Sequence, residues 1–388
     1  MTVGRFACTG LAIIALMLFT GCWDSTEIED LAMVIGSGFD LTEDGQLEVT
    51  VQIASPKGTP SAQHGGDTSS QRPYLVLSEK GPHSCSELMA KLQKQLSSRF
   101  FFGHRSVIIF GEKFAREGIN ESLDLFIRAP DSRFTAYVLT TKGMTAKEVL
   151  ETPYMLENLP MIAVKKMQMT EGVYSVNIED LVSAFIDDEV ALITGVIKSD
   201  RAAGDDRKFR IQGGAVYKEN KLIGYLDEGE TRMLMWKEGD IQQSLLSVRV
   251  QPETERYSGS VGLLMPHGSS HVDTKIVRNK PYFTIHLKGV GKIIENNTDL
   301  DMKKEESLKI VAEKFTEQAE EILRQMTRTS QKEWRVDMFN LGRELHCFYA
   351  DYWLRNKENW EEIYANAEVD FKVELNIVRT GRMQYLPS

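Results

Sequence analysis

Cys22 is the residue whose surroundings point most directly to one chemistry. It closes the stretch Leu18-Phe19-Thr20-Gly21-Cys22. Upstream, Arg5 is the one charge in a short leader, and Phe6 to Phe19 is an apolar run of the length found in secretion signals. A signal peptidase needs small side chains just before its cut, which Thr20 and Gly21 supply. A thiol at the cut can become a thioether to diacylglycerol, and the new N-terminus can then take an acyl chain. This is the lipobox of bacterial lipoproteins, with Phe19 standing where the pattern usually has leucine. The competing reading is an uncleaved membrane anchor, but fourteen apolar residues fall short of the about 20 that span a bilayer. The expectation is removal of residues 1–21 and acylation of Cys22.

Other reactive side chains carry weaker signals. His104-Arg105, behind Phe100-Phe101-Phe102, could meet an anion, because guanidinium forks a carboxylate well. The bland alternative is an imidazole bonded to backbone and an arginine paired with an acid. His267 and His271 are four apart, yet Pro266 and Gly268 exclude a helix that would align them, and no third metal ligand is in sight. Asp187-Asp188-Glu189 could serve a two-carboxylate glycosidase, although adjacent acids more often form a solvated turn. Gly289-Val290-Gly291 lacks the third glycine of a dinucleotide fingerprint and reads as a strand end. Neither a Gly-x-Ser-x-Gly elbow nor a phosphate-binding Gly-Lys-Ser/Thr loop occurs. Cys85 and Cys347 could pair in an exported protein or remain buried free thiols. The aromatic set Phe348, Tyr349, Tyr352, Trp353 and Trp360 could face a partner or fill a core. No catalytic residue, metal ligand or cofactor site is predicted.

Composition bounds the rest. The 367 residues that follow residue 21 carry 45 basic and 56 acidic side chains, which argues against nucleic acid and against headgroup binding by charge alone. Membrane attachment would have to come from acyl chains, two of which are the usual requirement for stable anchoring. The length suits two or three domains. The 42% hydrophobic content is ordinary for a globular chain.

The elements that must position these residues follow from periodicity. Leu31 to Asp40 reads as a buried strand with close-approach glycines, followed by a turn at Glu43-Asp44-Gly45-Gln46 and a strand alternating Leu47, Val49, Val51 and Ile53. Pro56 to Pro73 reads as an exposed loop. A strand at Tyr74–Leu77 precedes a helix opened by a Ser84/Glu87 capping box. An apolar strand, Ser106 to Phe110, belongs in a sheet centre, followed by a helix from about Glu112 to Phe126 and a strand from Thr135 to Thr140. Val149 to Lys165 reads as helical, interrupted at Pro153 and Pro160. The charged stretch Asp200 to Arg207 marks a boundary. Beyond it lie a hairpin turning at Lys218–Lys221, a short helix from Thr231 to Trp236, and strands at Gln243–Gln251, Ser260–Leu264 and Pro281–Gly289. Lys303 to Arg328 is the clearest helix, striped by Leu308, Val311, Phe315, Ile322 and Met326. A helix from Phe339 to Tyr352 and a strand with Val369, Phe371, Val373, Leu375 and Ile377 on its dry face complete the chain.

Several blocks together resemble the Ger(x)C family, the C subunits of GerA-type nutrient receptors of endospore-forming bacteria. They are Gly21-Cys22-Trp23-Asp24 with Glu27-Ile28-Glu29; Gly103-His104-Arg105 running into Val107-Ile108-Ile109-Phe110-Gly111-Glu112; and Arg128 followed by Phe134-Thr135-Ala136-Tyr137-Val138. Later come Gly213-Gly214-Ala215-Val216-Tyr217 with Leu222-Ile223-Gly224, and Trp360 before the closing strand. Each is weak alone; their order over more than 300 residues is what resembles the family. Where the family often has a glycine-rich segment, this chain has Val336-Asp337-Met338-Phe339-Asn340-Leu341-Gly342.

The resemblance implies an α+β, multi-domain fold with mixed or antiparallel sheets flanked by helices, three domains in all. The spans expected here are 1–21 as signal peptide, 22–200 as an N-terminal α+β domain, 201–290 as a β-rich middle and 291–388 as a C-terminal α+β domain. It further implies a non-enzymatic lipoprotein on the outer face of the inner spore membrane, assembled with integral-membrane A and B subunits. The acylated Cys22 is the one functional residue it carries over. Two other classes stay open: a solute-binding lipoprotein that captures a small nutrient directly, and a cell-wall hydrolase.

Overall fold

The computed structural model describes residues 27–55, 73–82, 84–128, 133–170, 172–186, 191–199, 209–254 and 258–378. The expected signal peptide, Cys22, Asp187-Asp188-Glu189, the boundary stretch 200–207 and nearly all of the Pro56–Pro73 loop lie outside the described residues.

The first half is built on one mixed sheet. Its first strand, β1 (Leu31–Leu41), pairs antiparallel with β2 (Leu47–Ala54), which pairs with β3 (Tyr74–Gly81). On its other side β1 runs parallel to β5 (Val107–Phe110) and to the short β4 (Arg99–Phe101). From β5 the sheet continues in parallel through β6 (Tyr137–Lys142) to β7 (Ile193–Ser199). It closes with the antiparallel hairpin β8 (Phe209–Lys218) and β9 (Lys221–Leu226). Parallel strands need crossovers that cover both faces of a sheet, which is why β5 is apolar throughout and fully buried.

One face carries α1 (Cys85–Gln93), α2 (Glu112–Glu117), α3 (Asn120–Arg128) and α6 (Ile178–Ile186), around a cluster in which the Phe39 ring meets those of Phe110, Phe114 and Phe126 at 5.5–6.1 Å. The other face carries α4 (Ala146–Glu151) and α5 (Pro160–Gln168) over Ile35, Val107, Ile109 and Leu139. Gly36 allows α5 to approach: a Cβ there would stand 2.4 Å from Met161 Cγ. Three buried hydroxyls of the sheet pair with one another, Thr140 Oγ1 lying 2.7 Å from Thr194 Oγ1 and 2.6 Å from the Tyr217 hydroxyl.

The second half is a four-stranded sheet, β10 (Gln242–Arg249), β11 (Ser260–Val277), β12 (Lys280–Asn297) and β13 (Glu368–Val378), antiparallel except for the parallel β12–β13 pair. Packed on it are α7 (Glu228–Glu238) and α8 (Glu305–Arg328), which buries Val311, Phe315, Ala319, Leu323 and Met326. On its exposed side Glu305 and Lys309 form an i,i+4 ion pair at 3.1 Å. After a π-helical turn (Thr329–Trp334) come α9 (Leu341–Phe348), α10 (Ala350–Asn356) and α11 (Trp360–Ala365). The core of this half reaches into the first sheet through Ile193, Val216 and Leu226.

Several elements differ from the sequence reading. The helix expected over 112–126 is two, because Gly118 at φ +131° breaks it. The helix expected over Phe339–Tyr352 is α9 and α10, split at Tyr349. The strands expected to end at Leu264 and Gly289 run on to Val277 and Asn297, so Gly289-Val290-Gly291 is strand interior. The hairpin β8–β9, within 201–290, completes the first sheet, while the second draws β10 and β11 from 201–290 and β13 from 291–388. Helix α6 and strand β7 have no counterpart in the sequence reading. The signal for α6 was present: Asn177 and Asp180 exchange side-chain-to-backbone bonds of 3.0 Å, a capping-box pattern three residues apart.

Candidate functional site

The residues singled out from the sequence do not converge. Arg105 is buried at the end of the turn preceding β5, its guanidinium 4.7 Å from the centre of the Phe126 ring and 5.2 Å from that of Phe102. Burial pulls its pKa down to about 10. It is a cation stacked in an aromatic core, and His104 packs edge-on to Phe101. His267 ends the β10–β11 ladder opposite Gln242, whereas His271 faces His286 across the hairpin. There Asp273 stands between the two rings, 3.2 Å from His271 Nε2 and 2.9 Å from His286 Nε2. Among the described residues no group of three or more His, Cys, Asp or Glu could hold a metal. Cys85 and Cys347 are both free thiols, the first buried and the second exposed. Burial, helped by the charge of Glu121, pushes the Cys85 thiol up to about 12.

The aromatic set divides. Tyr352, Trp353 and Trp360 are buried, with the Trp353 and Trp360 rings 5.5 Å apart edge to face, and Phe348 and Tyr349 remain exposed. Of these, Trp353 and Trp360 help form one wall of a cleft of about 640 Å³ between the two halves. Its opposite wall is the C-terminal end of α6 and the β8–β9 turn, where Glu219 and Asn220 take left-handed backbone conformations. The volume lies in the range of small-ligand sites.

Charge and hydrogen bonding lace the cleft together. Glu361 on α11 meets Lys218 Nζ at 2.9 Å and Arg335 Nε at 3.3 Å, tying the β8–β9 turn to the C-terminal helices. Asn340 Oδ1 accepts from the Ala191 backbone at 3.0 Å and makes a second tie. Asp337 is the deepest charge. Its Oδ2 accepts from the Gly342 N–H at 2.8 Å and from Trp360 Nε1 at 3.3 Å, and its buried Oδ1 has no hydrogen-bond partner. Burial raises its pKa, against the backbone bonds and the attraction of Lys237. Exposed Ile186 and Leu354 stand at the rim. The arrangement offers recognition through aromatic walls, balanced charge and an apolar rim. Sequence reasoning missed the cleft, because its walls come from segments about 150 residues apart.

No described helix is long and apolar enough to cross a membrane. Residues 24–199 match the family described as spore germination protein N-terminal domain, and residues 212–381 the one described as spore germination B3/GerAC like, C-terminal. Spore germination protein KC of Bacillus subtilis (strain 168) is 23% identical, the match covering 96% of this chain and 95% of the relative. Putative spore germination protein YfkR of the same strain is 27% identical over 92% of each. The crystal structure of the GerBC protein has the same fold, with a TM-score of 0.53 at 20% identity over 88% of this chain and 97% of that one. With two domain matches end to end and relatives aligned over nearly their whole length, the chain belongs to the Ger(x)C family of spore germination proteins.

Proposed function

We propose that this chain is a lipid-anchored, non-enzymatic subunit of a spore nutrient receptor. Removal of residues 1–21 and acylation of Cys22 hold it on the outer face of the inner spore membrane. Its α+β body packs on integral-membrane A and B partners and acts by scaffolding or by transmitting a conformational change. The observation that carries this reading is the end-to-end match to proteins named for spore germination. The lipobox supports the anchor, since acyl chains supply the attachment that net charge −10 does not.

Germination of spores carrying Cys22→Ala, read beside mass spectrometry of the unmutated N-terminus, tests it. An acylated Cys22 and a poor nutrient response in the variant support the reading. An intact, unacylated N-terminus with normal germination removes the anchor from it. The cleft favours one second reading, direct capture of a small nutrient. Saturable nutrient binding by the purified chain in calorimetry would establish that reading in place of scaffolding.

A further inference from the structure

The second sheet buries one face under α7 and α8, and the alternate residues of its strands make up the opposite face. Register sets Leu245, Leu264, Lys292 and Val378 in one row of that face, across β10, β11, β12 and β13. Val290 stands two residues before Lys292. On the other side β12 bulges at the Gly262–Leu263 step, and a Cβ built on Gly262 would lie 3.4 Å from Ile294 Cγ1. Gly262 alternates with the buried Val261 and Leu263, so the bulge turns Ile294 onto the open face. Lys292 is thus ringed by Leu264, Val378, Val290 and Ile294. The ring lies in solvent: Leu245 is 62% exposed, Ile294 54%, and Val290 and Val378 41% each. The open face of an antiparallel sheet is ordinarily polar, and a contiguous apolar patch on it marks an interaction site. Lys292 is half-buried in this patch and makes no ion pair with any described residue. Charges stand at the rim, Lys288 paired with Glu374 at 3.0 Å on one side and Glu295 on the other.

We propose that this face docks a partner protein whose own apolar face carries one carboxylate at its centre, seated on Lys292. The lysine selects the occupant. A wholly apolar partner would strip water from the ammonium group and return no counter-charge. A second copy stacked about a twofold axis would bring two Lys292 ammonium groups together, and like charges repel. An anionic bilayer would meet Glu295 and Glu374 at the rim of a chain with net charge −10. A carboxylate set among apolar side chains satisfies both the ring and its centre, in the apolar-core, polar-rim anatomy of specific interfaces. The surface stands apart from the receptor reading, which supplies only the setting of the test, the spore.

The test places the photocrosslinker p-benzoylphenylalanine at Leu245 or, separately, at Ile294 of the full chain in spores, and maps the crosslinked peptides by mass spectrometry. The expected product joins one other protein through a segment with an Asp or Glu among apolar residues. Its yield should fall about tenfold or more with Lys292→Glu, hold with Lys292→Arg, and return when the mapped acid is exchanged for lysine in the Lys292→Glu background. Circular dichroism melts of the purified variants check folding. Lys292→Met, which keeps the apolar stem and removes the charge, gives the same readout should the reversal unfold the chain. Crosslinks to a second copy or to lipid alone overturn the proposal, as does the absence of any product, or a yield indifferent to Lys292→Glu and Lys292→Met. A mapped partner that is not an integral-membrane protein leaves the docking face standing and sinks the receptor reading.

Discussion

The carboxylate of Asp40, near the end of β1, lies 2.9 Å from the backbone nitrogen of Ala146, the first residue of α4, and its other oxygen lies 2.9 Å from that of Lys147. A strand residue thus caps a helix 106 positions away. Burial pushes its pKa from the ordinary 3.8 up to about 6, against those two bonds. A carboxyl raised on folding binds its proton more tightly in the native state, so its contribution is largest at acid pH and is lost as pH rises through the window from 3.8 to about 6. The integrated effect is about 3 kcal/mol. Thermal melts of the parent chain and Asp40→Asn should show the parent's relative stability falling between pH 4 and pH 7. A difference that stays flat with pH would contradict it.

Gly36→Ala should destabilise the chain by about 1–3 kcal/mol, the usual cost of overpacking, because the new methyl would stand 2.4 Å from Met161 Cγ. Met161→Ala removes the obstruction at a cost of its own. Denaturant unfolding of both single variants and the double should show the two costs coupled by about 0.5 kcal/mol or more in the favourable direction. Simple additivity would place the strain elsewhere.

Maleimide labelling of the native chain at neutral pH should modify Cys347 and spare Cys85, since one thiol is exposed and the other is buried and held up to about 12. Cys85 should become reactive only with unfolding. Mass spectrometry of labelled peptides with and without denaturant reads this directly. Early labelling of Cys85 would mean that α1 opens in the native state.

Asp337→Ala should cost about 2–4 kcal/mol, because it leaves the Gly342 N–H and the Trp360 indole N–H without their acceptor in a buried site. Asp337→Asn keeps an acceptor oxygen and should cost clearly less. Urea unfolding of the two variants gives the comparison. Equal losses would show that the charge, rather than the acceptor, matters at this position.

The sequence by itself was enough for what depends on nearest neighbours along the chain. A near-continuous apolar run with glycines marked β1, alternation marked β2 and β13, helical spacing marked α8, and Ser84 and Glu87 marked the start of α1, whose Ser84 Oγ accepts from the Glu87 N–H at 3.3 Å. The family resemblance was legible in the same way, as short blocks in fixed order. The tertiary structure alone decided what depends on partners far along the chain. Beyond Met265, β11 passes through Pro266-His267-Gly268-Ser269-Ser270-His271, a run without apolar alternation, and it extends to Val277 because Gly268 to Val277 pair with Gly289 to Lys280 across the hairpin. Pairing with β7 draws β8 and β9 into the first sheet. Packing sorted the aromatics, burying Trp353 and Trp360 against each other and leaving Phe348 in solvent, and it set Arg105 on phenylalanine rings rather than at a ligand site. Periodicity reports which face of an element is dry; only long-range pairing and burial decide what that face meets.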